Sequence, residues 1–201
     1  MRFCIILKLF LLENLQSRQK QAKVLRNFRK IHRITGISLF MFLFLIGGTG
    51  LLLGWKKNSA GLILEDTSTG TSIDMTTWLP IHTLAENAIK YIQDSMPSEL
   101  DTKIDRIDVR PDKGIVKISF KNHYIGVQVD GATGVVLKRE NRYADLIEQI
   151  HDGSWVDRQF GLKSGAFKLF YTTISGMGLL TFCITGFWLW YGPKILRKQQ
   201  R

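Results

Sequence analysis

Imidazole is the side chain best suited to ligation and proton transfer near neutral pH. It occurs four times in this 201-residue sequence, at His32, His82, His123 and His151. His82 and His123 have no ligand-like spacing to another candidate ligand and are expected at the surface. His32 closes a run of Lys and Arg just before an apolar stretch, and His151 stands in Ile150-His151-Asp152-Gly153, shortly before a second one. Asp101, Asp105, Asp108 and Asp112 recur closely enough to suggest a cation site. The glycine and terminal glutamate of a calcium loop are missing, however, and Lys103, Arg106 and Arg110 between them neutralise the charge. That pattern reads as a solvated strand face. The sequence has no nucleophile elbow, HExxH, CxxC or phosphate-binding glycine loop, and no flavin or nicotinamide fingerprint. We therefore expect no enzyme, and a chain that does not by itself draw electrons from a soluble donor.

Charge and cysteine placement narrow the class further. The net charge of +11 suggests a nucleic-acid binder until it is divided by region. Residues 1–33 carry nine Lys/Arg against Glu13, and residues 193–201 carry four basic residues and no acid. The stretch 56–164 carries 14 basic and 16 acidic residues. Basic flanks around a nearly neutral centre fit the positive-inside rule with both termini cytoplasmic, and no nucleic-acid partner is expected. Cys4 and Cys183 lie outside the central segment, so no disulfide framework is available there, and Cys183 is expected as a small packing residue.

Two apolar runs position everything else. Residues 34–55 and 169–192 contain no ionisable acid or base of the Asp, Glu, Lys, Arg or His type, and as helices each spans roughly 30 Å, enough to cross a bilayer. Gly47, Gly48, Gly50 and Gly54 in the first, and Ser175, Gly176, Gly178 and Gly186 in the second, allow close approach to each other or to a second copy. Trp55, Trp188, Trp190 and Tyr191 form interface belts at the span ends. Residues 1–12 read as an interfacial helix or as an over-extended start, and 16–33 as a basic helix against anionic headgroups.

Between the spans, 56–79 is rich in Ser, Thr and Gly and reads as a connector with a short strand at 62–64. A helix opening at His82 or Thr83 presents Leu84, Ala85, Ala88, Ile89 and Ile92 at helical spacing and ends at Pro97. Strands are expected over 103–110, 115–120, 124–129 and 135–138, with turns at Pro111-Asp112-Lys113-Gly114 and Asp130-Gly131-Ala132-Thr133-Gly134. A short amphipathic helix over 143–150 follows, and 154–168 leads to the second span along the membrane surface. The fold class is an α+β membrane protein: two transmembrane helices flanking a helix on an antiparallel sheet.

Three segments carry a family resemblance. Ile125-Gly126-Val127-Gln128-Val129-Asp130-Gly131-Ala132-Thr133-Gly134-Val135-Val136-Leu137 resembles the closing hairpin of the PepSY domain. Arg29-Lys30-Ile31-His32-Arg33-Ile34-Thr35-Gly36 resembles the opening of the PepSY-associated transmembrane family, and Ile150-His151-Asp152-Gly153 leading to Gly161 resembles the approach to that family's later span. The resemblance covers 29–192. It implies an inner-membrane protein with an extracytoplasmic (periplasmic) PepSY-like domain at 80–142. That domain follows the cytoplasmic segment 1–33, the span 34–55 and the connector 56–79. An interfacial helix and linker at 143–168, the span 169–192 and a cytoplasmic tail at 193–201 complete the chain.

Larger members of the family, with four or more spans, are linked to ferric-siderophore reduction and carry haem on histidines. By resemblance, His32 and His151 are the candidate ligands of haem b, but this chain departs from those members in having two spans. His32 is expected at one face of the bilayer and His151 at the other, about 30 Å apart, so one chain does not clamp an iron between them. A homodimer would bring His32 to His32 or His151 to His151. The expected function is a membrane-anchored interaction or accessory module linked to iron-siderophore uptake. Its partners are the lipid bilayer, a second copy or other subunit along the Gly-rich spans, and an exported peptide or protein. The alternative is a haem b-binding subunit of a ferric-siderophore reductase. Inhibition of an exported protease is a third reading, by family analogy alone.

Overall fold

The computed structural model describes residues 2–95 and 100–198. Two compact units are formed, one from Met1–Ile46 and Asp152–Arg201, the other from Gly47–His151.

The first unit is helical. Helix α1 (Arg2–Trp55) runs without a break from the basic segment through the first apolar run, and its last nine residues belong to the second unit. Helix α4 (Ser154–Phe160) lies between two left-handed glycines, Gly153 (φ 81°) and Gly161 (φ 59°). Helix α5 (Ala166–Lys198) carries the second apolar run and passes Pro193 near its end. Gln19–Asn58 and Ala166–Ile195 are both long and apolar enough to cross a membrane. The side chain of Asp157, buried in α4, accepts the amides of Phe167 (2.9 Å) and Lys168 (2.8 Å). These are first-turn donors of α5 that no intrahelical carbonyl can satisfy, so the aspartate caps the span and fixes the corner before it.

α1 and α5 meet along an antiparallel seam. The contacts run Leu25 to Gly192, Phe28 to Trp188, His32 to Thr185, Gly36 to Phe182, Leu39 to Gly178 and Phe42 to Tyr171. On α1 these positions are three or four residues apart, the spacing of a coiled-coil seam. A Cβ on Gly178 would collide with the Leu39 side chain, whereas one on Gly47, Gly48, Gly54 or Gly176 would meet nothing within 4 Å. The small residues therefore divide into those that let the helices touch and those on open faces. Cys183 is exposed, not packed as expected: it falls between the seam positions Phe182 and Thr185 and turns outward.

The second unit is α+β. Helix α2 (Ile81–Ser95) starts directly after Pro80 and buries Leu84, Ala85, Ala88 and Ile92. The expected stop at Pro97 lies outside the described residues. Strands β1 (Ile104–Arg110), β2 (Ile115–Phe120), β3 (Ile125–Asp130) and β4 (Val136–Asn141) form an antiparallel meander in sequence order. Val116, Ile118, Phe120, Val127 and Val129 face the buried stripe of α2 and close the core. Helix α3 (Tyr143–Asp152) follows.

The strand expected at 62–64 does not form. Ser59 caps a tight turn, donating to the Lys56 carbonyl and accepting the Ile63 amide, and Ala60 and Gly61 take left-handed backbone (φ 50° and 83°). The chain bends where a strand would have to run straight. Beyond it, residues 65–72 lie on the face of the sheet opposite α2. Gly70 donates to the Lys113 carbonyl at 2.7 Å, and a Cβ on it would strike the Gly114 carbonyl. Gly114 itself is left-handed (φ 72°), so neither position tolerates a side chain.

Candidate functional site

His32 stands in the helix seam. Its Nδ1 is 2.8 Å from Thr185 Oγ1, and its ring meets Phe182 edge-on at 4.5 Å between centroids. The Thr185 hydroxyl already donates to the Thr181 carbonyl at 2.6 Å. With that proton committed, Thr185 accepts and His32 Nδ1–H donates. A neutral ring that donates in this way would carry its lone pair on Nε2. The ring borders a groove of about 640 Å³ lined by Arg33, Gly36, Ile37, Phe40, Leu43, Phe44 and Phe182. A polar pair at one seam position also selects helix register, so the same contact has a purely architectural use.

His151 ends α3. Its Nδ1 is 2.9 Å from Thr49 Oγ1 on α1, and its Cε1 would sit 3.3 Å from a Cβ on Gly50. Each candidate histidine thus meets a Thr-Gly pair, Thr185-Gly186 for His32 and Thr49-Gly50 for His151. They lie in different units and meet different threonines. A haem iron needs axial donors, and each site offers one imidazole from one chain. The residues supply half of a bis-histidine set, and an apolar groove lies beside His32.

His82 is exposed, as expected. His123 is not a free surface residue. Its Nδ1 accepts the Ile125 amide (3.3 Å), its Nε2–H donates to the Asp101 carbonyl (2.9 Å), and its ring stacks on Phe120. It shapes the β2–β3 turn. Asp101 accepts the Lys103 amide and the Asn122 side chain, which hold its carboxyl below the ordinary range. No group of three or more His, Cys, Asp or Glu is placed to hold a metal ion among the described residues.

The polar face of the sheet is where sequence reading fell short. Alternation on β2 suggests that Lys117 and Ser119 face water, yet both are buried, and so is Gln128 on β3. Lys117 Nζ reaches over β3 to Glu140 Oε2 at 2.9 Å, and the two residues are 8% and 6% exposed. Gly126 lies beneath this bridge, where a Cβ would come within 3.3 Å of Glu140. Gln128 donates to Glu140 and to the Asp66 carbonyl and accepts the Ser68 amide. Asp130 accepts the amides of Thr71, Ala132 and Thr133 and the Thr71 hydroxyl. Burial works to raise its pKa, but these bonds outweigh it and hold the carboxyl below its usual value. Glu65 behaves likewise: burial is outweighed by the Asn141 amide and Lys138.

One side of this face opens into a cleft of about 400 Å³. Lys56, Lys57, Arg106, Arg110, Lys117 and Arg142 line it together with Glu65, Asp108, Glu140, Asp145 and Glu148. Only the pairing of connector, strands and α3 collects these charges, and no spacing in the sequence announces them.

A family model described as the PepSY-associated TM region matches residues 18–201. Nothing among curated proteins and nothing among solved structures matches the chain.

Proposed function

This chain belongs to the PepSY-associated TM family and is a membrane protein, and from that premise we propose that it is an inner-membrane accessory module of iron-siderophore uptake that works by interaction rather than catalysis. In this reading both termini are cytoplasmic and the 47–151 unit is held on the periplasmic side. The observation that supports it is the outer edge of β1: the strand pairs with β2 on one side and with no strand on the other among the described residues. An edge of this kind accepts an extended peptide as a further strand. Asp105 and Arg106 on it are exposed, which discourages indiscriminate edge pairing. His32 and His151 are then helix-fixing residues. The test is growth on a ferric-siderophore as sole iron source with the gene deleted, then restored as wild type or with Val109→Pro and Asp105→Pro on β1. Loss of growth on deletion, rescued by wild type but not by a stably produced β1 variant, supports the reading; undiminished growth on deletion refutes it.

A second reading is favoured by the committed tautomer of His32 and its adjoining groove. In a homodimer, His32 and its counterpart would hold haem b, and His151 and its counterpart a second one. The bound haem would supply one-electron transfer toward ferric-siderophore iron. The chain's own part is to fix each ring through threonine, to wall the groove with Phe40, Phe44 and Phe182, and to exclude water from it. An absorption spectrum of protein purified in mild detergent, before and after dithionite, separates the readings. A Soret band that sharpens and shifts on reduction, and is lost in His32→Ala, supports haem. A featureless spectrum from haem-replete cells leaves the interaction module.

A further inference from the structure

The cleft on the polar face of the sheet keeps positive charge after its ion pairs are formed. Arg106 is matched by Asp108 and Asp145, Arg142 by Asp145, and Lys117 by Glu140. Lys56, Lys57 and Arg110 line the same cleft and form no ion pair among the described residues, against a single acid in that condition, Glu148. Three cations from two distant segments, the end of the first span and the end of β1, therefore converge on one concavity. Its volume of about 400 Å³ is that of a small-molecule site. Ile63, Leu64 and Ala144 give it an apolar wall. Lys56 and Lys57 directly follow Trp55, where the apolar run ends, so they emerge at the depth of the lipid headgroups.

We propose that this cleft binds the phosphoryl group of an anionic lipid headgroup, from the leaflet in which the first span ends. Arg110 offers the guanidinium fork that phosphate oxygens accept in pairs, and Lys56 and Lys57 add point charge. Ile63 and Leu64 lie against the glycerol and the first methylenes. The apolar wall and the position beside Trp55 favour a lipid over free phosphate, whose chemistry at the cations would be the same. Binding of a headgroup would tie the β1 end of the sheet to the membrane surface.

The test uses the full chain in neutral detergent, with dioctanoyl phosphatidylglycerol, dioctanoyl phosphatidylcholine and inorganic phosphate as separate probes. Affinity is read by thermophoresis, and protection of β1 by hydrogen–deuterium exchange. Lys57→Gln with Arg110→Gln is the chosen variant, because both side chains are exposed and outside the ion pairs, and retained exchange protection of β2 and β3 checks its fold. Preference for phosphatidylglycerol, with affinity falling at least tenfold in the double variant, supports the proposal. Equal affinity for the two lipids, or phosphatidylglycerol binding untouched by the double variant, overturns it. Inorganic phosphate binding as tightly as the lipid, with the same dependence on Arg110 and Lys57, overturns the lipid as the source.

Discussion

Replacing Lys117 by Met should destabilise the central unit, and replacing its partner as well should restore much of the loss. Lys117 and Glu140 form a 2.9 Å ion pair with side chains 10% and 8% exposed, in the part of the sheet covered by residues 65–72. Removing one member of such a pair strands the other charge, at a typical cost of about 3–5 kcal/mol. Here Gln128 continues to donate to Glu140 Oε2, which argues for the low end. A loss of about 3 kcal/mol corresponds to roughly a hundredfold change in an opening equilibrium. The double variant Lys117→Met with Glu140→Leu exchanges the pair for apolar volume, and such exchanges range from neutral to stabilising. It leaves the Gln128 amide short of one acceptor, so about 1 kcal/mol of deficit should remain. The assay is hydrogen–deuterium exchange of β2 and β3 amides in the intact chain in detergent, under conditions where exchange reports the opening equilibrium. Wild-type protection in Lys117→Met, or a double variant less protected than both singles, would refute the reasoning.

Asp130→Asn should cost about 1–3 kcal/mol, because four donors converge on a carboxylate that the amide replaces with one acceptor and two further donors. The folded-state pKa of Asp130 is depressed, so its stabilisation is complete above the unfolded value of about 3.9 and is lost as pH falls through the folded value. Unfolding midpoints measured from neutral to acid pH should therefore fall less steeply in the variant, and parallel curves would sink the assignment. Gly178→Leu should lower the thermal midpoint of the helical unit, by overpacking against Leu39 worth about 1–3 kcal/mol, while Gly176→Leu on the open face should not. Equal effects of the two leucines would mean that the seam is misplaced. A double-mutant cycle between Thr185→Val and His32→Phe should return a coupling near 0.6 kcal/mol, the ordinary worth of an interhelical hydrogen bond in lipid. A coupling of zero would remove the tautomer argument for His32.

Periodicity carried much of the architecture. A run of 22 or 24 residues without a charged side chain has few stable environments other than a bilayer, so both long helices were legible. Alternation in β2 and β3, with turn residues between them, and the stripe from Leu84 to Ile92 fixed a helix on a meander, because one face of each had to leave water. Strand ends were less legible: β4 runs to Asn141, three residues past its expected end, because Glu65 satisfies the Asn141 amide and Lys138 pairs with that same Glu65. His32 and His151 could be singled out from the sequence, but not their threonines, since 153 and 102 residues separate the partners.

Composition and periodicity by themselves determined the membrane class, the two spans, the order of the strands and which face of the sheet meets α2. They are local properties, set by what each segment must hide from water. Tertiary structure decided the rest: the burial of Lys117, Gln128 and Glu140, the role of Asp130, the structural use of His123 and the gathering of Lys56, Lys57 and Arg110 into one cleft. A polar side chain is tolerated inside only where a partner meets it, and that partner comes from a segment whose sequence gives no sign of the meeting.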